Sequence, residues 1–154
     1  MKIQKITEIE YYIRMGVMIL AALSPIIFLL TQGYKPSLSS YWRTGAQPLF
    51  IVINAMTSYY LYGITRWKPA AMLLLFLTAF SVQDYMIAHN ILAILFFIAC
   101  LYPLHQNNHY NRLYFYLYLS SLPLMAFNLL LSEFIAIFIL CLYHAKILTR
   151  IYKI

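Results

Sequence analysis

Apolar residues run through this chain in stretches too long to be covered by a core of the protein's own. Between Pro69 and Leu104, 36 consecutive residues include a single charged side chain, Asp84. Over the whole sequence 64% of residues are apolar or aromatic and 10% are charged, whereas soluble domains average about one half and one quarter. Lipid must cover the excess apolar surface. The sequence therefore predicts an all-α, polytopic integral membrane protein.

Short polar breaks divide the apolar stretches and predict six transmembrane helices in one membrane domain, residues 1–154. A helix of 36 residues would be about 54 Å long, but the hydrocarbon core of a bilayer is about 30 Å thick. The stretch after Pro69 must therefore form a hairpin, with its turn near residues 83–89. We predict helices at about 11–31, 48–65, 69–83, 88–104, 113–131 and 133–149. Pro25 lies inside the first helix and is expected to kink it.

The positions of the basic residues predict how the chain is oriented. If both termini are inside, nine of the eleven Lys and Arg residues lie in inner segments, and Lys35 and Arg43 lie in outer ones. Cytoplasmic loops carry such an excess of positive charge. We therefore expect cytoplasmic N- and C-termini and a location in the bacterial inner (cytoplasmic) membrane. This bias accounts for the formal net charge of +7, and no nucleic-acid partner is expected.

Three segments resemble one family. Residues 36–44 (Pro-Ser-Leu-Ser-Ser-Tyr-Trp-Arg-Thr) are similar to the Ser-Ile-Ser-Ala-Tyr-Tyr-His-Thr signature of a family of small, functionally uncharacterised bacterial six-helix membrane proteins. Residues 89–97 match its His-x-x-x-Ala-x-x-Phe-Phe helix, and residues 133–137 match the start of its last helix. Where the family carries Arg-Asp before the second helix, this chain has Gln47 and Pro48. The resemblance implies a six-helix fold and brings no activity with it.

Polar residues in the predicted outer half of the membrane are candidate site residues, because polar groups are costly in lipid unless they are compensated. Asp84 and His89 flank the predicted turn, and such a pair can perform acid–base chemistry or hold a metal. We expect Asp84, His89 and Glu133 to converge on one cavity. Tyr41, Trp42 and Arg43 would cover it, with Arg43 as the counter-charge. The full candidate cluster is Asp84, His89, Glu133, Arg43, Tyr41, Trp42, Asn54 and Asn128.

Structural interpretations compete with each of these assignments. Asp84 is suited to capping the fourth helix, and Ser132 followed by Glu133 is an ordinary helix start. His105 and His109 have the spacing of a metal pair on a helix, but their Pro- and Asn-rich loop favours solvated side chains. His144 lies inside the last helix and is expected to form a hydrogen bond between helices.

These features favour a non-enzymatic membrane protein that binds a lipid or a partner protein on its outer-leaflet side, without a cofactor. Two alternatives stay open. One is a small oligomeric transporter or channel. The other is a metal-dependent enzyme that modifies lipids and uses Asp84 and His89, the two candidate metal ligands. The expected partners are membrane lipids and either another membrane protein or further copies of this chain.

Overall fold

A computed structural model describes residues 7–106 and 112–152 of the chain, and the regular structure within these ranges is helical. The six α-helices are α1 (Glu8–Gln32), α2 (Gln47–Tyr62), α3 (Lys68–Ala79), α4 (Met86–Gln106), α5 (Arg112–Ser121) and α6 (Leu129–Tyr152). Three 3₁₀ helices lie in the connections, at Leu38–Arg43, Thr65–Trp67 and Leu122–Ala126. We call the first of them, Leu38–Arg43, the loop helix.

Three of these helices, α1, α4 and α6, are long and apolar enough to cross a membrane. The outward faces of the helices carry large apolar side chains, among them Leu30, Ile87 and Ile94, which are 80%, 74% and 60% exposed. Soluble monomers rarely expose apolar surface on this scale. The chain is therefore a helical membrane protein with transmembrane helices.

The α-helices form a closed ring. Each α-helix packs against the next one in the chain, and α6 packs against α1. The buried residues face the inside of this ring and form one apolar core. Its largest fully buried side chains include Tyr41, Trp67, Tyr118 and Tyr143.

The two ends of the ring are closed differently. At one end the loop helix packs against α1, α2 and α6. At the other end Trp67, which is 2% exposed, packs its ring against Tyr143 and His144 of α6. The rings of Tyr11 and Tyr152 stack with centroids 4.4 Å apart, so the start of α1 and the end of α6 meet at the same end of the ring. We call these the loop-helix end and the Trp67 end.

The expected hairpin after Pro69 is present, but its turn lies earlier than predicted. α3 ends at Ala79 and α4 begins at Met86, so the turn comprises residues 80–85 and His89 lies within α4. Ser81 stabilises the turn, because its hydroxyl accepts a hydrogen bond from the Asp84 N–H at 3.1 Å. Serine and aspartate commonly form such local bonds in turns.

The predicted boundaries of the last two helices were wrong. We expected the fifth helix to run to residue 131, but α5 ends at Ser121 and a 3₁₀ helix follows, because Pro123 has no N–H to continue the α-helix. We expected the sixth helix to start at Ser132 and Glu133, but α6 starts at Leu129. The side chain of Asn128 caps it, accepting a hydrogen bond from the Leu131 N–H at 3.0 Å.

Pro25 lies in the middle of α1, which continues through it from Glu8 to Gln32. Proline lacks the N–H that would bond to the carbonyl of Ala21. The hydroxyl of Ser24 donates to that carbonyl instead, at 2.8 Å, in a buried position. Neighbouring hydroxyls commonly compensate proline in this way inside membranes.

This compensation makes a prediction about stability. We expect Ser24→Ala to lower the free energy of unfolding by about 1 kcal/mol, because the Ala21 carbonyl loses its donor. In a Pro25→Ala background the same substitution should cost almost nothing, since residue 25 then supplies an N–H. A double-mutant cycle measured by reversible unfolding in detergent tests this. An equal cost in both backgrounds would contradict the assignment.

Candidate functional site

The polar side chains at the loop-helix end are organised around the loop helix itself. Residues of α4 and α6 and of the turn at 80–85 all reach this short segment. A 3₁₀ helix of six residues leaves most of its backbone groups without partners of its own. A distant side chain satisfies one of these groups, the Leu38 N–H, and contacts to the side chains of the loop helix complete the geometry of the site.

Glu133 supplies the contact between α6 and the start of the loop helix. Its carboxylate oxygen Oε2 accepts a hydrogen bond from the backbone N–H of Leu38 at 2.7 Å. Both residues are 7% exposed. The carboxyl group of Glu133 therefore caps the loop helix, whose Leu38 is 95 residues away in sequence, and not its own helix.

His89 joins α4 to both the turn and the loop helix. Its Nδ1 lies 2.6 Å from the carbonyl oxygen of Phe80, and its Nε2 lies 2.7 Å from the hydroxyl oxygen of Ser39. Because a carbonyl only accepts, Nδ1 must carry the proton, and in a neutral ring Nε2 then accepts from the Ser39 hydroxyl. The ring is 3% exposed, and these two bonds determine its orientation.

Asp84 and Arg43 form a separate ion pair nearer the surface. The Arg43 guanidinium contacts the Asp84 carboxylate, and the Ser81 hydroxyl donates to the same carboxylate at 2.6 Å. The Ser81 hydrogen bond, with the charge and hydrogen bond of Arg43, holds the pKa of Asp84 below its ordinary value. The side chains of Arg43 and Asp84 are 52% and 40% exposed, so the pair contributes little to stability.

A groove of about 400 Å³ opens between α4, the 3₁₀ helix Leu122–Ala126 and α6, beside the loop helix. One part of its lining is polar, with the side chains of Ser37, Ser39, His89, Asn90 and Glu133. The rest is apolar and comprises Val82, Ala93, Ile94, Phe97, Ile98, Leu122, Met125 and Leu129. His89 and Glu133 thus share one cavity, but Asp84, which was expected to converge with them, does not line it.

The other predicted members of the cluster do not line this groove. Asp84 lies with Arg43, so the expected contact between Asp84 and His89 is not formed. Tyr41 is fully buried and donates its hydroxyl to the Gly33 carbonyl at 2.8 Å. The indole N–H of Trp42 donates to the Thr78 carbonyl at 2.9 Å. Tyr41 and Trp42 therefore hold the loop helix onto α1 and α3 and do not cover a cavity.

The two asparagines also lie elsewhere. Asn54 donates to the Phe50 carbonyl at 2.8 Å within α2 and faces the centre of the ring. Asn128 caps α6 and lines a different groove, beside Pro25 and Tyr34. Hydropathy places residues at a depth in the membrane but carries no information about which face of the ring each one occupies.

Ser37, Ser39 and the Leu38 N–H belong to the site but were not predicted from the sequence. The available signal was the motif at residues 36–44, which is rich in serine. The Ser37 hydroxyl also pairs with the Ser40 hydroxyl at 2.9 Å.

The other histidines and the cysteines that the structure describes have structural surroundings. The structure confirms the expected interhelical bond of His144, whose Nδ1 lies 3.3 Å from the Tyr60 hydroxyl oxygen. His105 is exposed and contacts the ring of Phe115, and His109 falls outside the described residues. Cys100 and Cys141 are free and buried. Within residues 7–106 and 112–152, no three His, Cys, Asp or Glu side chains are grouped as a metal would require.

Comparisons with known proteins give no relative from which a role for the groove could be transferred. No protein-family model, no curated protein and no solved structure matches the chain.

The Glu133 contact predicts a difference between two substitutions. Glu133→Ala leaves the buried Leu38 N–H without its acceptor and should lower the free energy of unfolding by about 1–3 kcal/mol. Glu133→Gln keeps a carbonyl oxygen in place and should cost clearly less. Reversible unfolding of both variants in the same detergent measures this. Equal losses for Gln and Ala would show that the hydrogen bond to Leu38 does not hold the loop helix.

Proposed function

We propose that this protein is a six-pass protein of a bacterial inner membrane, with cytoplasmic termini, that binds a membrane lipid in the groove beside the loop helix. The observation that carries the proposal is the division of the groove into a polar part and an apolar part. Membrane lipids have the same division between headgroup and acyl chain.

The polar part of the groove provides both donors and acceptors for a headgroup. Ser37 and Ser39 carry hydroxyls, Asn90 carries an amide and is exposed, and Glu133 contributes a carboxyl group. Arg43 lies at the same end of the ring, outside the groove, where it pairs with Asp84. Such a mixture of groups favours a polar headgroup over a purely apolar ligand.

The apolar part of the groove is accessible from the lipid-facing side of the helices. Ile94 and Ile98 of α4 are 60% and 56% exposed, and Leu129 at the start of α6 is 40% exposed. An acyl chain lying along these side chains covers apolar surface without leaving the membrane. A lipid therefore fits the groove better than a soluble metabolite, which would have to enter through the bilayer.

The packing of the ring and the distribution of its charges support six crossings and their orientation. Because consecutive helices pack against each other through short connections, their ends alternate between the loop-helix end and the Trp67 end. The basic residues follow the same division. The Trp67 end carries Arg14, Arg66, Lys68, Arg112, Lys146 and Arg150, and the loop-helix end carries Lys35 and Arg43. By the positive-inside rule, this distribution supports a cytoplasmic Trp67 end.

Cysteine labelling tests this topology. In a background with Cys100 and Cys141 replaced by alanine, we expect an impermeant maleimide added to cells with a permeabilised outer membrane to label Tyr34→Cys and Tyr85→Cys. Thr7→Cys and Arg66→Cys should react only after the inner membrane is also permeabilised. All four residues are exposed. Labelling of Thr7→Cys without inner-membrane permeabilisation would overturn the orientation, and accessibility of Arg66→Cys with Tyr34→Cys would overturn the six crossings.

Blocking the groove tests lipid binding with a matched pair of substitutions. Ile94 lines the groove, whereas Ile91, one turn earlier on α4, is similarly exposed and lies outside it. We expect Ile94→Trp to remove the lipid that copurifies with the protein, as seen by native mass spectrometry. Ile91→Trp adds the same side chain to the same lipid-facing helix, but outside the groove, so this variant should retain the lipid.

The outcomes of this experiment are distinct. Loss of a bound phospholipid in Ile94→Trp alone supports the proposal. Equal retention by both variants and the unmodified protein contradicts it, and so does a bound polypeptide in place of a lipid.

A further inference from the structure

A second cavity lies at the centre of the ring, apart from the groove. It has a volume of about 70 Å³ and is lined by residues of α1, α2, α3, α4 and α6, and by Trp67. Phe28, Tyr41 and Phe50 pack together between it and the loop-helix end. Most of its lining is apolar, and the polar exceptions include Asn54, Thr57 and His144.

Two polar atoms of this lining have no hydrogen-bond partner within the described ranges. They are the hydroxyl oxygen of Thr57 and Nε2 of His144. Both atoms are buried, and the whole His144 residue is 2% exposed. Buried polar groups in proteins are nearly always paired with protein or with ordered water.

The behaviour of Thr57 differs from that of other threonines in the helices. The hydroxyls of Thr31, Thr78 and Thr149 donate to the carbonyl four residues earlier, at 2.8, 2.7 and 2.9 Å. This local bond is the ordinary solution for a threonine in an apolar helix. Thr57 does not make it, and its hydroxyl lies in the cavity wall instead.

His144 is held so that one ring nitrogen remains for the cavity. The Tyr60 hydroxyl lies 3.3 Å from Nδ1, and the ring of Trp67 packs on the imidazole with centroids 4.4 Å apart. A neutral imidazole has one donor and one acceptor nitrogen. If Nδ1 accepts a hydrogen bond from Tyr60, Nε2 carries the proton and needs an acceptor. If Nδ1 donates to Tyr60, Nε2 needs a donor. A molecule that both donates and accepts satisfies either arrangement.

The charge and the size of the cavity restrict its occupant further. No Asp, Glu, Lys or Arg side chain is in the lining described, so an ion would be buried without compensation. One water needs about 10–15 Å³ of such space, and the cavity therefore has room for a few. We propose that the central cavity is a hydration site, in which a small cluster of water molecules is bound by His144 Nε2 and the Thr57 hydroxyl.

Tyr60 extends this site toward the Trp67 end. Besides its bond to His144, Tyr60 lines a groove of about 730 Å³ together with Arg14 and Glu10. The Tyr60–His144 pair thus separates the cavity from a surface groove that bears charged side chains. Exchange of the bound water with bulk water is expected to pass this pair.

Water-edited solid-state NMR tests the proposal on the intact chain in lipid bilayers. With ¹⁵N-labelled histidine, we expect magnetisation to pass from water to the His144 Nε2 signal, with exposed His105 as the positive control. Ala21 lines the cavity, whereas Ala22 does not. Ala21→Leu should therefore reduce the transfer several-fold, and the matched Ala22→Leu should leave it unchanged.

A stability measurement keeps the proposal testable if the cavity-filling variant does not fold. In a hydrated cavity Thr57→Val removes a ligand of bound water, and we expect Tm to fall by a few degrees, with Thr57→Ser close to the unmodified protein. In a dry cavity the same substitution removes an unpaired buried hydroxyl, and Tm should rise. Absence of water transfer to His144, a rise in Tm for Thr57→Val, or an organic molecule retained in the cavity after delipidation would each overturn the proposal.

Discussion

The constraint that organises this structure is that no backbone polar group inside a membrane is satisfied by solvent. α-Helices meet it internally, but this chain also contains a 3₁₀ helix of six residues at the end of its helical ring. Glu133 meets the constraint there by accepting from the Leu38 N–H. Ser24 meets it in α1, where its hydroxyl replaces the N–H that Pro25 lacks. The same requirement explains why polar side chains occur where an apolar residue would be expected.

The loop helix is held by hydrogen bonds to several α-helices of the ring, made with side chains of α4 and α6 and with backbone carbonyls at the ends of α1 and α3. Trp42 ties it to the last turn of α3, Ser39 to His89 of α4, and Leu38 to Glu133 of α6. Tyr41 anchors it to Gly33, whose positive φ of 72° ends α1 and lets the chain turn back over the ring. Ser39, His89 and Glu133, which form two of these bonds, also line the groove. A single segment therefore unites the closure of the ring with the proposed binding of a headgroup.

The proposed lipid groove and the proposed hydration site differ in how their polar side chains are partnered. The groove lies outside the core, where His89 and Glu133 are already bonded to protein and Asn90 is exposed. The central cavity lies within the core, where Thr57 and His144 have polar atoms left over. Asn54 belongs with the second group, although its predicted depth in the membrane had placed it with the first. Depth alone does not separate the two sites, because both lie along the same helices.

The sequence by itself determined the membrane class, the helical fold and the hairpin after Pro69, because hydropathy and chain length dominate these features. It also indicated which polar residues, including Asp84, His89 and Glu133, need partners because their side chains are unfavourable in lipid. Only the tertiary structure decided that Asp84 pairs with Arg43, and that His89 bonds to Ser39. Partner choice depends on how the helices rotate within the ring, and helices that are apolar on nearly all sides carry little periodic signal for that rotation. The end of α5 and the start of α6 were predicted wrongly for a related reason. Pro123 and Asn128 act on local hydrogen bonds, which hydropathy does not register.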